Sequence, residues 1–376
     1  MTQQSKSDFI KHYRKQYKRA TKKEKSRLLD ILADVTGYSR KHIIHALNED
    51  VDIPKKVTRD RISRYEIVIE PLEKLWAASN LLCGKRLKPF IPELLKSLVR
   101  HGEIQVTEQE ASLLLRISAA TIDRLLAPAR KDLVPKGRST TKPGTLLKHK
   151  IAVRTANDWS DDRPGFFEID LVAHCGDSMA GEYINTLDIT DVSTGWTVCV
   201  AFMGRSERFC VDAIEKARVS LPFTMLGIDS DNDTAFINYH LQSYCMQNNL
   251  AFTRSRAYKK NDQCRVEQKN WDVVRKTVGY GRFDTWEHLK PLSRIYNLLS
   301  TYQNYFQPSQ KLLNKTRIGS RVTKKHDTAQ TPAQRLMARQ DTPEQTKQTL
   351  RLVQDDLNPA QLLRDIQALV QKLYNL

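Results

Sequence analysis

The sequence predicts a mixed α/β core with a five-stranded sheet and flanking helices, set behind all-α modules and ahead of a helical tail. Three observations predict it. Residues 164–284 contain short β-rich runs split by turn chemistry and then alternate helix with strand, the texture of a mixed sheet covered by helices. Residues 1–130 and 285–376 instead carry helical periodicity with clear helix starts. At 376 residues the chain is also too long for one ordinary core, which argues for more than one domain.

The net charge of +18, with a pI near 9.6, makes polyanions the expected partners. Nucleic acid comes first, and a membrane surface is the weaker reading: no stretch has the apolar length of a spanning helix, and residues 1–25 are polar and basic without a signal-peptide core. The expected location is cytoplasmic and nucleoid-associated. The six cysteines are scattered without a C-x-x-C pair, so free thiols are expected. His42 and His45 have no cysteine pair in reach, and zinc is not expected.

Residues 1–60 read as a helix-turn-helix. Leu28, Leu29, Ile31, Leu32 and Val35 form an apolar stripe, Thr36-Gly37-Tyr38 a turn, and Ser39 caps a helix that holds Ile43, Ile44 and Leu47 inward. Arg40, Lys41, His45 and Asn48 then face outward, with side chains suited to phosphates and base edges. A plain helical hairpin with a solvated basic face is the alternative.

Residues 61–130 form a second helical module. Ile67 to Asn80 and Phe90 to Arg100 are amphipathic, Thr107 to Glu110 is a capping box, and Ser118 caps a helix exposing Thr121, Asp123 and Arg124. This reads as a second helix-turn-helix, or as a bundle that only packs on the core. Residues 131–163 are a basic linker rich in Pro, Gly and Ser/Thr.

In the core, Phe166–Val172, Tyr183–Ile189 and Trp196–Phe202 form a meander, and a helix over Glu207–Leu221 follows. Thr224–Ile228 is a strand that stops on Asp229-Ser230-Asp231-Asn232-Asp233, where open α/β sheets tend to place their sites. A helix (Thr234–Asn248), a strand (Leu250–Arg254) and the helix carrying Glu267 complete it. Asp188 and Asp191 read as turn formers. Beyond residue 285, Trp286–Phe306 is helical, Lys311 to Lys325 is a basic loop, and Thr342-Pro343-Glu344 and Asn358-Pro359 start two further helices. Leu362, Leu363, Ile366, Leu369, Val370 and Leu373 form a stripe that must pack on this chain or on another copy.

Asp170, Asp231 and Glu267 stand in D-D-E order, with thirty-five residues between the last two. Together with the string Tyr258-Lys259-Lys260-Asn261-Asp262, then Val266-Glu267-Gln268-Lys269-Asn270-Trp271, Val274-Arg275 and Gly279-Tyr280, the pattern resembles DDE transposases of the retroviral integrase superfamily. Bacterial insertion-sequence transposases with helix-turn-helix modules ahead of an integrase-type catalytic core are the specific likeness, close over residues 164–284. The sequence departs from the family in having Asp233 where glycine is common and Val274 where a basic residue is frequent, with Arg275 one step later.

The resemblance implies an RNase H-like core, cleavage at transposon ends and strand transfer of the freed 3′-hydroxyl into target DNA. It implies two Mg²⁺ ions, replaceable by Mn²⁺, held by Asp170, Asp231 and Glu267. Hard carboxylates are the donors magnesium prefers, and paired ions suit phosphoryl transfer. Expected partners are double-stranded DNA at both transposon ends and target, and further copies of the chain on DNA; the need for an ATPase helper is open. Tyr258, Lys259, Lys260, Asn270 and Arg275 are expected DNA contacts. Two other readings remain: a DNA-binding regulator derived from a transposase with a silent core, and an RNase H-like nuclease.

Overall fold

The structure is a computed structural model that describes residues 2–48, 64–130, 152–153, 163–231, 233, 235–255, 264–318 and 321–376. It divides into two compact units, residues 1–63 and 64–376.

In the first unit, α1 (Gln3–His12), α2 (Arg14–Arg19), α3 (Lys22–Thr36) and α4 (Arg40–Asn48) enclose Ile10, Tyr17, Leu29, Leu32, Ile43 and Leu47. A Thr21/Glu24 capping box opens α3, and Gly37, at φ 69°, lets the chain leave it in the left-handed region. Ile31, Val35 and Ile44 are exposed, contrary to the predicted stripe. Nine-residue α4 touches its neighbours along a narrow line, so only its Ile43/Leu47 row is buried.

The second unit has one hydrophobic core running from the helices into the sheet. Helices α5 (Ile69–Ala78), α6 (Gly84–Arg100), α7 (Glu108–Arg116) and α8 (Ala119–Leu125) come first. The capping box at Thr107/Glu110 is present, and Ser118 Oγ accepts the N–H of Thr121. Asp123, predicted to be exposed, is half-buried: it accepts the N–H of Gly84 at 2.8 Å and pairs with Arg130. A Cβ on Gly84 would lie 2.1 Å from the carbonyl oxygen of Ala119. Gly84→Ala is therefore expected to lower stability by about 2 kcal/mol in a urea titration, since the colliding group is backbone and cannot swing away.

The sheet follows the predicted pattern. Strands β2 (Phe166–Ala173), β3 (Ile184–Asp191) and β4 (Thr197–Met203) are antiparallel, and β5 (Gly227–Ser230) and β6 (Ala251–Arg254) run parallel to β2. An edge strand β1 (Ala152–Val153), inside the predicted linker, pairs with β6 and gives the order β1-β6-β5-β2-β3-β4. All eight residues of β3 are buried, so both faces of the sheet are covered there.

Helix α9 (Glu207–Val219) lies against β3 and β4. Helix α10 (Tyr239–Gln247) starts later than predicted because Asp231 Oδ1 accepts the N–H of Asp233, and Asp233 Oδ1 that of Ala235. Such aspartate turns compete with helix, and the true N-cap is Asn238.

Helix α11 (Cys264–Lys269) continues as a π-helical stretch, Asn270–Arg275, and a last turn, Lys276–Val278. Helix α12 (Trp286–Phe306) seals the edge of the sheet. Asn304 exchanges two 2.8 Å bonds with the backbone of Thr197, and Ser300 Oγ accepts the N–H of Cys199, satisfying groups that a bare edge strand would leave open.

Lys311 to Lys325, predicted as a loop, is mostly an antiparallel ribbon of β7 (Leu312–Ile318) and β8 (Arg321–His326). Helix α13 (Pro332–Ala338) was not predicted, although Thr331-Pro332 is the same start signal read elsewhere. Helices α14 (Glu344–Asp356) and α15 (Pro359–Tyr374) follow. The apolar stripe of α15 packs on α12 of this same chain. Tyr302 Oη donates to Ala78 O, Arg86 Nε to Pro308 O, and Arg364 pairs with Glu103, so the first helices of this unit are bonded to its last. Among the described residues no helix is long and apolar enough to cross a membrane. Cys83, Cys175, Cys199, Cys210 and Cys245 are free thiols.

Candidate active site

The site is organised by the way α11 lies along β2. Side chains two apart on a strand share a face, so Glu168 and Asp170 project together towards α11. Glu168 is fully buried and accepts the backbone N–H of Arg265 at 2.9 Å and of Val266 at 3.0 Å, with the Arg265 guanidinium at 2.7 Å. It thereby fills the open donors at the start of the helix, where a carboxylate also opposes the positive end of the helix dipole. Burial raises its pKa, and the Arg265 charge draws it back down.

One step along, Asn270 Nδ2 donates to Asp170 Oδ2, and at the far end Arg275 donates to Ala173 O at 2.8 Å. The π-helical turn spans Asn270 to Arg275, and π-turns are often found at functional sites. Tyr374 Oη, from the last turn of α15, donates to Val278 O at 2.7 Å and closes off the helix.

Asp231 follows β5 directly, half-buried at the end of the strand. Asp229 lies inside β5, buried and held by Thr253 Oγ1 at 2.5 Å. Glu267 is exposed in the first turn of α11. The pKa of Asp170 is raised by burial, then by the charges of Asp231 and Glu267; that of Asp231 is raised by burial and also by Asp233 and Glu267. The three acids of the predicted triad thus share one electrostatic field.

Two of these carboxylates also bond backbone close by in sequence. Asp170 Oδ1 takes the Leu171 N–H, and Asp231 Oδ1 that of Asp233. Among the described residues no group of three or more His, Cys, Asp or Glu side chains is arranged to hold a metal ion.

Beside Asp170, two charged residues, Asp188 and Lys269, had no site role assigned from the sequence. Asp188 is no turn former: it sits within β3, directly opposite Asp170, fully buried, with Oδ2 lacking a hydrogen-bond partner. Burial pushes its pKa up to about 8 against the pull of Lys269, and burial lowers Lys269 itself. Asp191, in contrast, does shape a turn, accepting from Gly165 and Thr194. The one sequence signal for Asp188 was its alternation with Thr186 and Thr190 on one face of a buried strand.

His174 lies at the end of β2 with Nε2 near Thr186 Oγ1 (2.8 Å) and Tyr296 Oη (3.0 Å), and Nδ1 is unpaired. Burial, aided by the Arg275 charge, lowers its pKa to about 3, so it is neutral in the fold. The unfolded chain binds that proton below about 6.5 and the fold does not, so the contribution of His174 to stability falls as pH drops from 6.5 towards 3. Acids with raised pKa values slope the other way, so the test is a difference. Between pH 7.5 and 5, urea titrations should show wild type losing about 2 kcal/mol more than His174→Gln.

The expected DNA contacts are distributed as follows. Lys41, His45 and Asn48 line an open surface with Ile44 on α4, whereas Arg40 is paired with Asp30 and Ser26. Arg124 is exposed on α8, and Thr121 hydrogen-bonds its own N-cap residue, Ser118. Asn270 donates to Asp170, and Arg275 bonds backbone carbonyls and stacks on Tyr280 at 4.7 Å. Tyr258, Lys259 and Lys260 lie outside the described residues.

Strand order, strand directions and the enclosed sheet define the core as RNase H-like in fold. The chain belongs to the family of the uncharacterized protein y4rM of Sinorhizobium fredii (strain NBRC 101917 / NGR234): it is 41% identical to it over 324 residues, 86% of this chain and 92% of that protein. No family model matches the chain. Among solved structures it is similar to the BIV integrase catalytic core domain (14% identity, TM-score 0.30, 45% of this chain and 90% of that one). It is also similar to the HTLV-2 integrase catalytic core domain in complex with magnesium (16%, 0.31, 46% and 95%). A third likeness is to the simian T-cell lymphotropic virus intasome with the PP2A regulatory subunit B56 gamma (13%, 0.36, 67% and 76%). These scores are low, and the fold rests on the topology itself.

Proposed function

We propose that the protein is a DDE-type DNA transposase that cleaves transposon ends and joins their 3′-hydroxyls to target DNA. The observation that carries this reading is positional: Asp170 lies on β2, Asp231 follows β5, the parallel neighbour of β2, and Glu267 lies in the first turn of α11, whose start is bonded to Glu168 of β2; the like charges of these acids raise the pKa of Asp170 and Asp231. The resemblance of the D-D-E pattern and its surrounding string to integrase-type transposases supports it.

The donor chemistry fits divalent cations. Asp170 and Asp231, whose ionised forms are opposed by burial and by neighbouring acids, together with exposed Glu267 form a set of hard carboxylate donors of the kind divalent cations favour. Asp170, Asp231 and Glu267 would hold Mg²⁺, or Mn²⁺ in its place. When bound, such ions polarise the phosphate and lower the pKa of an oxygen nucleophile. Asn270 orients the Asp170 carboxylate, and Glu168 fixes the start of the Glu267 helix. Lys41, His45 and Asn48 on α4, with Arg124 on α8, are suited to hold duplex DNA. Two DNA ends call for two active sites, so the working form is an oligomer on DNA.

A joining assay tests the reading. The full chain is incubated with Mg²⁺ or Mn²⁺, supercoiled plasmid and an oligonucleotide matching the DNA that flanks its gene. Metal-dependent joined products support the transposase. Nicking without joining favours a nuclease, and binding without either reaction favours a silent regulator.

A further inference from the structure

We infer that the β7–β8 ribbon is a separate DNA-binding element that enters the major groove of duplex DNA. The inference rests on the reading of the chain as a protein that acts on DNA.

Residues 312–326 contain Lys315, Arg317, Arg321, Lys324 and Lys325 and no acidic residue. Residues 312–318 and 322–326 are all exposed. Cross-strand partners share a face, so the register sorts these charges. Lys315 pairs with Lys324 and Arg317 with Val322 on one side; Asn314 pairs with Lys325 on the other. Both faces are therefore basic.

Lysines set directly opposite each other destabilise a ribbon, and a two-stranded ribbon is marginal by itself. An external polyanion on each side relieves that repulsion. The two phosphate-lined walls of a DNA groove supply this, and the major groove is wide enough for a two-stranded ribbon. Seven residues of strand reach about 24 Å, long enough to follow the groove over several base pairs.

Ile318, the last residue of β7, is 83% exposed, an apolar side chain that water disfavours and a thymine methyl group accommodates. The base is held firmly. Asp327 accepts the N–H of Lys311 at 2.6 Å and the guanidinium of Arg335 at 2.7 Å, while Lys311 Nζ donates to Ser193 O. A charged arm on a fixed base suits a ligand of fixed shape.

The test compares the full wild-type chain with a K315Q/R317Q/K324Q/K325Q variant. Binding to a fluorescent 30-base-pair duplex is followed by anisotropy over a range of salt, and dimethyl sulfate reports guanine N7 in the major groove. Because the changed side chains are exposed, the fold is expected to persist, which circular dichroism checks. The expected result is about thirtyfold weaker binding, a log–log salt slope shallower by about 3, and loss of a set of N7 protections. Equal affinity and slope in wild type and variant would overturn the inference while leaving the proposed function standing. Loss of self-association with DNA binding unchanged would also overturn it, marking the ribbon as a contact between copies. A wild-type chain with no affinity for duplex DNA would sink both readings.

Discussion

Glu267→Gln and Asp170→Asn are expected to lower strand joining by on the order of a thousandfold while leaving duplex binding unchanged. Each swap keeps shape and removes one anionic donor, so the loss should appear in rate rather than in DNA affinity. A second readout separates catalysis from folding. Asp170 is held in the fold against burial and against the charges of Asp231 and Glu267, so it opposes stability when ionised. Asp170→Asn should therefore raise metal-free stability by about 1 kcal/mol, the usual sign for a site whose function demands gathered like charge. An inactive variant that is also less stable than wild type would show that Asp170 serves the fold instead.

Glu168→Ala is the second large effect. The side chain is completely buried and its removal leaves the N–H groups of Arg265 and Val266, and one face of the Arg265 guanidinium, without their acceptor. Breaking such a buried pair from one side costs about 3 kcal/mol, which urea unfolding would measure. Because these bonds hold the first turn of the helix, on Arg265 and Val266 just before Glu267, joining should fall as well, by roughly ten- to a hundredfold. Glu168→Gln keeps an acceptor and should recover much of the stability but less of the rate. Full joining activity in Glu168→Ala at a temperature where it is folded would remove Glu168 from the account.

Much of this architecture was legible because its signals are local. The strands around Phe166–Ala173 and Ile184–Asp191 announce themselves by β-rich runs and turn residues, and α15 by Asn358-Pro359 and a stripe of leucines. The acids of the proposed site were legible by order and spacing. Relations across the chain were not. The opposition of Asp188 to Asp170 depends on strand register, and the bond from Glu168 to Arg265 joins residues 97 apart. Neither leaves a periodic trace. The ribbon is a different case: its alternation around Gly319-Ser320 was present in the sequence, but five cations in fifteen residues read more readily as a loop. Likewise, Ile44 looked like a core residue by composition, yet a short helix buries only one narrow row.

The central claim is that Asp170, Asp231 and Glu267 form one divalent-cation site, and Mn²⁺ titration tests it most directly. Calorimetry on the full chain with a bound duplex should show Mn²⁺ uptake by wild type of up to two ions. Uptake should be weakened at least tenfold by each of Asp170→Asn, Asp231→Asn and Glu267→Gln. Equal Mn²⁺ binding by wild type and all three variants would contradict the claim and move the site elsewhere.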